Sequence, residues 1–138
     1  MSSKDVRKTD TFVQFGIAAS EQAIADAGLA DAACYAPGRM GVAIGSGIGG
    51  LPSIQKNYSQ YLKGSARKIS PFFIPGSIVN MVSGLVSIRH NFQGPNIAIV
   101  TACTTGTHNI GYAARSIAYG DADVMVCGGT EMATCELG

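Results

Sequence analysis

Asn96-Ile-Ala-Ile-Val-Thr-Ala-Cys-Thr-Thr-Gly-Thr-His-Asn-Ile-Gly111 changes its hydrophobic period half-way along. Ile97 to Val100 is an unbroken apolar run, the pattern of a strand buried on both faces. From Thr104 onward Ile110, Ala113, Ala114, Ile117 and Ala118 recur at the spacing of a packed helix, and Gly120 is placed to end it. Cys103 therefore falls at a strand-to-helix turn. A thiol there meets the positive end of the helix dipole and orphan backbone N–H groups, both of which favour the thiolate nucleophile. The arrangement is analogous to the serine elbow of hydrolases, with sulfur in place of oxygen. The alternative is a buried structural cysteine behind an apolar strand.

Working outward, the same alternation appears twice more. Met40 to Ile44 reads as a short buried strand, followed by Gly45-Ser-Gly47-Ile-Gly49-Gly50 and a helix over Leu51 to Leu62. Val124 to Cys127 reads as a further buried strand after the turn Asp121-Ala-Asp123, with Cys127 as a strand residue. Strands alternating with helices predict an α/β fold, a mostly parallel sheet with helices on both faces. Toward the N-terminus, Thr11-Phe-Val-Gln14 fits a capping box for a helix with Phe12, Phe15, Gly16, Ala19 and Ala23 on one face and a stop near Gly28. Ala30 to Gly38 reads as a loop with a turn at Pro37-Gly38. Ser70-Pro-Phe-Phe-Ile-Pro75 reads as extended, because each proline disfavours helix in the residue before it. Ser77 to Asn91 reads as a helix with Met81, Leu85 and Ile88 on one side.

Composition narrows the function. The 138 residues carry a net charge of +1, so no global field argues for nucleic acid. Hydrophobic content is 46% against 14% charged, the profile of a piece of a larger packed structure or of a subunit with extensive interfaces. The apolar runs are too short to span a membrane, and no signal-peptide core is seen at the N-terminus. Four cysteines, at 34, 103, 127 and 135, show no C-x-x-C spacing and no metal-site pattern, which suits a reducing cytoplasm. The glycine run Gly45 to Gly50 matches G-x-G-x-x-G after a strand and before a helix, so an NADP-binding loop is one alternative, with Arg67 and Lys68 available for a 2′-phosphate. A glycine-rich loop where backbones approach closely is the plainer reading. His108, five residues after Cys103, lies off the cysteine's face of a helix with about 3.6 residues per turn and is expected to be structural. His90 is expected to be solvated or favoured by the helix dipole near a helix end, and Glu131 is the nearest acid after the last strand. Lys4, Arg7 and Lys8 form one basic group and Arg67 with Lys68 another, either ordinary solvated surface or a docking patch for an acidic partner.

Val100-Thr-Ala-Cys103-Thr-Thr-Gly-Thr-His-Asn-Ile-Gly111 also resembles the active-site segment of the β-ketoacyl-acyl-carrier-protein synthases, the condensing enzymes of the thiolase-like superfamily, in their elongating type II form. The likeness continues through Arg7 to Gly16, Ala43 to Gly50, Arg67 to Pro75, Ile78 to Met81 and Ala118 to Gly129, in the same order. It implies that residues 1–138 are part of the N-terminal half of a ketoacyl synthase domain, lacking the first strand and the whole C-terminal half. It implies that Cys103 takes an acyl chain from carrier protein as a thioester, before decarboxylative Claisen condensation with malonyl-carrier protein. Two histidines and a lysine of the family's C-terminal half would serve that step, and no cofactor is implied. By the same resemblance Ile48 gates the acyl pocket, Phe73 reaches the pocket of a homodimer partner, and Lys4, Arg7, Lys8, Arg67 and Lys68 dock acyl carrier protein. Fatty acid elongation in the cytoplasm is the expected setting. A non-catalytic dimerisation or carrier-binding fragment is the other alternative.

Overall fold

The computed structural model describes residues 1–29 and 35–138. Part of the loop expected over Ala30 to Gly38, with Cys34, lies outside the described residues. The chain runs α1 (Ser3–Val6), α2 (Thr11–Asp26), β1 (Met40–Gly45), α3 (Leu51–Leu62), α4 (Phe73–Ser77), α5 (Met81–His90), β2 (Asn96–Ile97), α6 (Thr105–Ala118) and β3 (Val124–Gly129). The strands form a parallel sheet in the order β2-β1-β3. Strand β1 is buried at every position, and α6 packs on the sheet together with β3 while α5 and α2 pack on the sheet as well. Phe12, Val13, Ile17 and Ile24 of α2 join Val82 and Val86 of α5 and Val42 and Ile44 of β1 in one apolar cluster.

Two helix ends follow from glycine. After α2, Gly28 takes φ +69, and the N–H of Leu29 reaches back to the Ile24 carbonyl. After α6, Gly120 takes φ +80, and the N–H of Asp121 bonds to the Ser116 carbonyl. Both are the left-handed caps that only glycine adopts without a Cβ penalty.

Several expectations are corrected. Helix α2 starts one residue earlier than a Thr11 cap requires: Asp10 is the N-cap, and its Oδ2 accepts instead from the Ser53 N–H at the start of α3 (2.9 Å). Its core face is Phe12, Val13, Gly16, Ile17, Ser20 and Ile24, whereas Phe15, Ala19 and Ala23 are exposed. Helix α5 begins at Met81 and buries Val82, Ser83 and Val86; Met81 and Leu85 are half-buried and Ile88 is exposed. The segment at Ser70 to Pro75 is not extended. Phe73–Ser77 is a short helix with Pro75 in its first turn, where the missing N–H costs no helical hydrogen bond. β3 is half-buried rather than buried.

The largest departures flank Cys103. Strand β2 ends at Ile97, and Ala98 to Val100 runs on without strand pairing, half-buried to exposed. On α6 the buried stripe is Thr105, Asn109, Ala113 and Ser116, while Ile110, Ala114, Ile117 and Ala118 face outward. The reason is close approach. A Cβ on Gly129 of β3 would lie 2.9 Å from the Gly106 Cα, so helix and sheet touch backbone to backbone and leave room only for small or hydrogen-bonded side chains.

Candidate active site

Cys103 stands in a single 3-10 turn, Ala102–Thr104, that leads directly into α6, and it is exposed. Ala102 before it takes φ 52, a left-handed conformation that costs a non-glycine residue about 1 kcal/mol. Side chains of α6, and the turn's own Thr104, hold it in that shape. Asn109, fully buried, accepts the Ile99 N–H on Oδ1 (3.1 Å) and donates Nδ2 to the Ile99 carbonyl (2.9 Å). The Thr105 hydroxyl accepts the Thr101 N–H (2.9 Å), and the Thr104 hydroxyl donates to the Thr101 carbonyl (2.7 Å). The amide and hydroxyls of a helix thus do for residues 99–101 what a neighbouring strand would do. Among the described residues the Cys103 N–H donates no hydrogen bond, while the next N–H, of Thr104, bonds back to the Thr101 carbonyl.

The sulfur opens on a cavity of about 430 Å³ bordered by Ser46, Ile48, Gly106, Thr130 and Glu131. The glycine-rich loop after β1 forms one wall. Gly49 takes φ +82, and a Cβ on Gly50 would lie 2.6 Å from the Ser77 Cβ, so close backbone approach accounts for these glycines. The loop's donors are already committed. Glu131 Oε2 accepts the Ile48 N–H (2.8 Å), and Oε1 accepts the Ser46 hydroxyl (2.8 Å) and the Gly49 N–H (3.2 Å). Gly50 N–H bonds to the Ser77 carbonyl, and Ser53 N–H to Asp10. A pyrophosphate would have to displace a carboxylate to reach them, which removes the basis for an NADP loop.

The other singled-out residues separate cleanly. Ile48 borders the Cys103 cavity and is half-exposed, at 51%. Phe73 does not border it; it lines a polar concavity with Arg7, Lys8 and Lys56. His108 is turned to Thr101, whose hydroxyl hydrogen-bonds its Nδ1 at 2.6 Å, so it braces the turn and does not face the cysteine cavity. His90 is half-buried, not solvated, with Nε2 3.8 Å from Glu21. Cys127 is half-buried, and burial pushes its thiol above the usual range. Arg7 and Lys8 converge with Lys56 of α3, a cation that sequence spacing did not single out. Lys8 Nζ also sits 4.7 Å over the Phe72 ring. Arg67 and Lys68 lie on a 3-10 turn, Ala66–Lys68, that packs against α3, and Lys4 lines neither this concavity nor the Cys103 cavity. Among the described residues no cluster of His, Cys, Asp and Glu is disposed to hold a metal ion, and no helix is long and apolar enough to cross a membrane.

A family model described as beta-ketoacyl synthase, N-terminal domain, matches residues 1–138. The chain is 62% identical over 98% of its length to 3-oxoacyl-acyl-carrier-protein synthase 2 of Coxiella burnetii, and 58% identical over 100% to the Vibrio cholerae protein of that name. It spans about a third of those relatives, 32% and 33% of their lengths. Among solved structures, a type II PKS acyl-carrier protein in complex with its ketosynthase bound to the hexaketide superposes with a TM-score of 0.90. That match covers 99% of this chain and 39% of the other at 27% identity. The parallel sheet with flanking helices is thus that of the thiolase-like ketosynthases.

Proposed function

The chain belongs to the β-ketoacyl synthase family, as its N-terminal domain, and we propose that it supplies the acyl-accepting half of a 3-oxoacyl-acyl-carrier-protein synthase of fatty acid elongation. The observation that carries this is Cys103, exposed beside the left-handed Ala102 and bordering the cavity, with an N–H that donates no hydrogen bond among the described residues. The Cys103 thiolate attacks the thioester carbonyl of an acyl-carrier protein. The carbonyl oxygen takes up charge beside the Cys103 N–H, which serves as one donor of an oxyanion hole. The carbon–sulfur bond to the carrier then breaks, and the carrier thiolate leaves and takes a proton. In the second half-reaction malonyl-carrier protein loses carbon dioxide. The resulting carbanion attacks the Cys103 thioester, a carbon–carbon bond forms, and the cysteine leaves as thiolate. Neither half-reaction uses His90 or His108, the two histidines of this chain.

Ile48 is read as the gate of the acyl cavity. Arg7, Lys8, Arg67 and Lys68, joined by Lys56, are read as the docking surface for the acidic carrier, together with the exposed Lys4. Reversing two of these charges, Arg7→Glu with Lys8→Glu, is expected to weaken carrier binding about tenfold at low salt and by less than about threefold at 0.5 M salt. An equal loss at both salts overturns the electrostatic reading. The exposed Phe72 and Ile74, beside Phe73, support a second subunit covering this segment, as in a homodimer working in the cytoplasm.

The test grafts these residues in place of the matching segment of the C. burnetii relative. The grafted enzyme is incubated with a medium-chain acyl-carrier protein and digested, and the acyl mass is located. It is expected on the peptide holding Cys103 and on none holding Cys34, Cys127 or Cys135. Loading elsewhere, or none, overturns the assignment.

A further inference from the structure

We propose that Glu131 is a positioning residue that sets which acyl groups reach Cys103, by pinning the backbone of Ile48 at the mouth of the cavity. The inference rests on reading Cys103 as the acyl acceptor and goes beyond it. One carboxylate collects three donors from a single four-residue loop: the Ile48 N–H on Oε2, and the Ser46 hydroxyl and Gly49 N–H on Oε1. Ser46, itself 1% exposed, also accepts the Gly49 N–H at 3.0 Å, so the loop is tied to the carboxylate by two routes. Gly47 leaves the gap that this needs. A Cβ there would stand 2.9 Å from Glu131 Oε2 and 3.1 Å from the Ala102 carbonyl oxygen, so the loop lies between the carboxylate and the cysteine turn.

Ile48 is half-exposed and borders the cavity, so its backbone, not side-chain packing, fixes where it stands. An acyl chain leaving the Cys103 sulfur meets it. The cavity that the two share is limited to about 430 Å³, so the longer the acyl group, the more of a shift of Ile48 it requires. The shift breaks a hydrogen bond to an ionised acceptor, the stronger kind. Glutamine at 131 keeps the volume but offers one acceptor oxygen and an NH₂ group that repels a donor. It therefore cannot hold both the Ile48 N–H and the pair on Oε1. With the pin weakened, long chains gain access relative to short ones.

The experiment compares, in the grafted enzyme, Cys103 loading from C4 and C14 acyl-carrier proteins and hydrogen exchange of the Ile48 amide. Glu131→Gln is expected to raise the C14-to-C4 ratio about fivefold or more and to speed exchange at Ile48. In an Ile48→Ala background, Glu131→Gln is expected to leave the ratio unchanged, because the obstructing side chain is gone. A structural role alone lowers both rates equally, and that result, or unchanged exchange at Ile48, overturns the proposal. Should Glu131→Gln fail to fold, Glu131→Asp retracts the carboxylate by one methylene and must raise the ratio in the same direction. If the unaltered enzyme loads no donor, the assignment of Cys103 falls and this inference with it. If it loads but the ratio stays fixed, only the inference falls.

Discussion

Replacing Cys103 by alanine is expected to abolish acyl loading, by more than about three orders of magnitude and down to background, while leaving the fold intact. The two halves of that expectation come from different observations. The sulfur is exposed and makes no hydrogen bond among the described residues, so its removal opens no core cavity and is expected to cost less than about 0.5 kcal/mol. The turn does not depend on it either: Asn109, Thr105 and Thr104 hold residues 99–101 through backbone groups. Among the described residues no second cysteine borders the cavity. Cys127 is half-buried on β3 and does not border the cavity, and its thiol is pushed up by burial. Serine at 103 is expected not to rescue. A hydroxyl needs a base to become a nucleophile, and His108 is hydrogen-bonded to Thr101 instead of facing the cavity. Loading assays on Cys103→Ala and Cys103→Ser, with circular dichroism on both, decide the matter. Loading by the alanine variant at the unaltered rate would show the acyl acceptor to be another residue.

What was legible in the sequence is what local pattern determines. The bounds of α3, the buried strand β1 and the glycine stops of α2 and α6 follow from residues adjacent in the chain. The role of the apolar run before Cys103 did not. Ile97 to Val100 has the composition of a strand, but the Ile99 backbone is satisfied by the amide of Asn109, a contact that hydropathy does not record. Helix α6 carries two stripes, and the apolar one invites burial. The sheet instead takes the stripe of Thr105, Asn109, Ala113 and Ser116, because Gly106 and Gly129 bring the backbones together. The outward stripe of Ile110, Ala114 and Ile117 is left exposed. Glu131 was visible only as a nearby acid. Its partner Ile48 is 83 residues away, and only the parallel pairing of β1 with β3 brings their ends together.

Gly45→Val is expected to be the most destabilising single change outside the apolar core, by more than about 3 kcal/mol. Gly45 ends β1 where the sheet, residues 99–101 and α6 converge. A Cβ there would collide with the Ile99 carbonyl oxygen and lie 2.8 Å from both Asn109 Nδ2 and Thr105 Cγ2. Two of those atoms are the members of the hydrogen bond that shapes the cysteine turn, so the added methyls must either push β1 out of register with β3 or part Asn109 from Ile99. The second route leaves a buried carbonyl and a buried amide unpaired, which adds its own cost. Neither neighbour is the free end of a flexible chain, so the clash has no inexpensive relaxation. Gly111 provides the contrast. It lies mid-way along α6 with nothing within 4 Å of an added Cβ, so Gly111→Ala is expected to be stabilising by about 0.5–1 kcal/mol through helix propensity. Urea midpoints followed by circular dichroism should move in opposite directions for the two variants. A Gly45→Val midpoint equal to that of the unaltered chain would mean that the strand end and the Asn109 clamp do not meet as described.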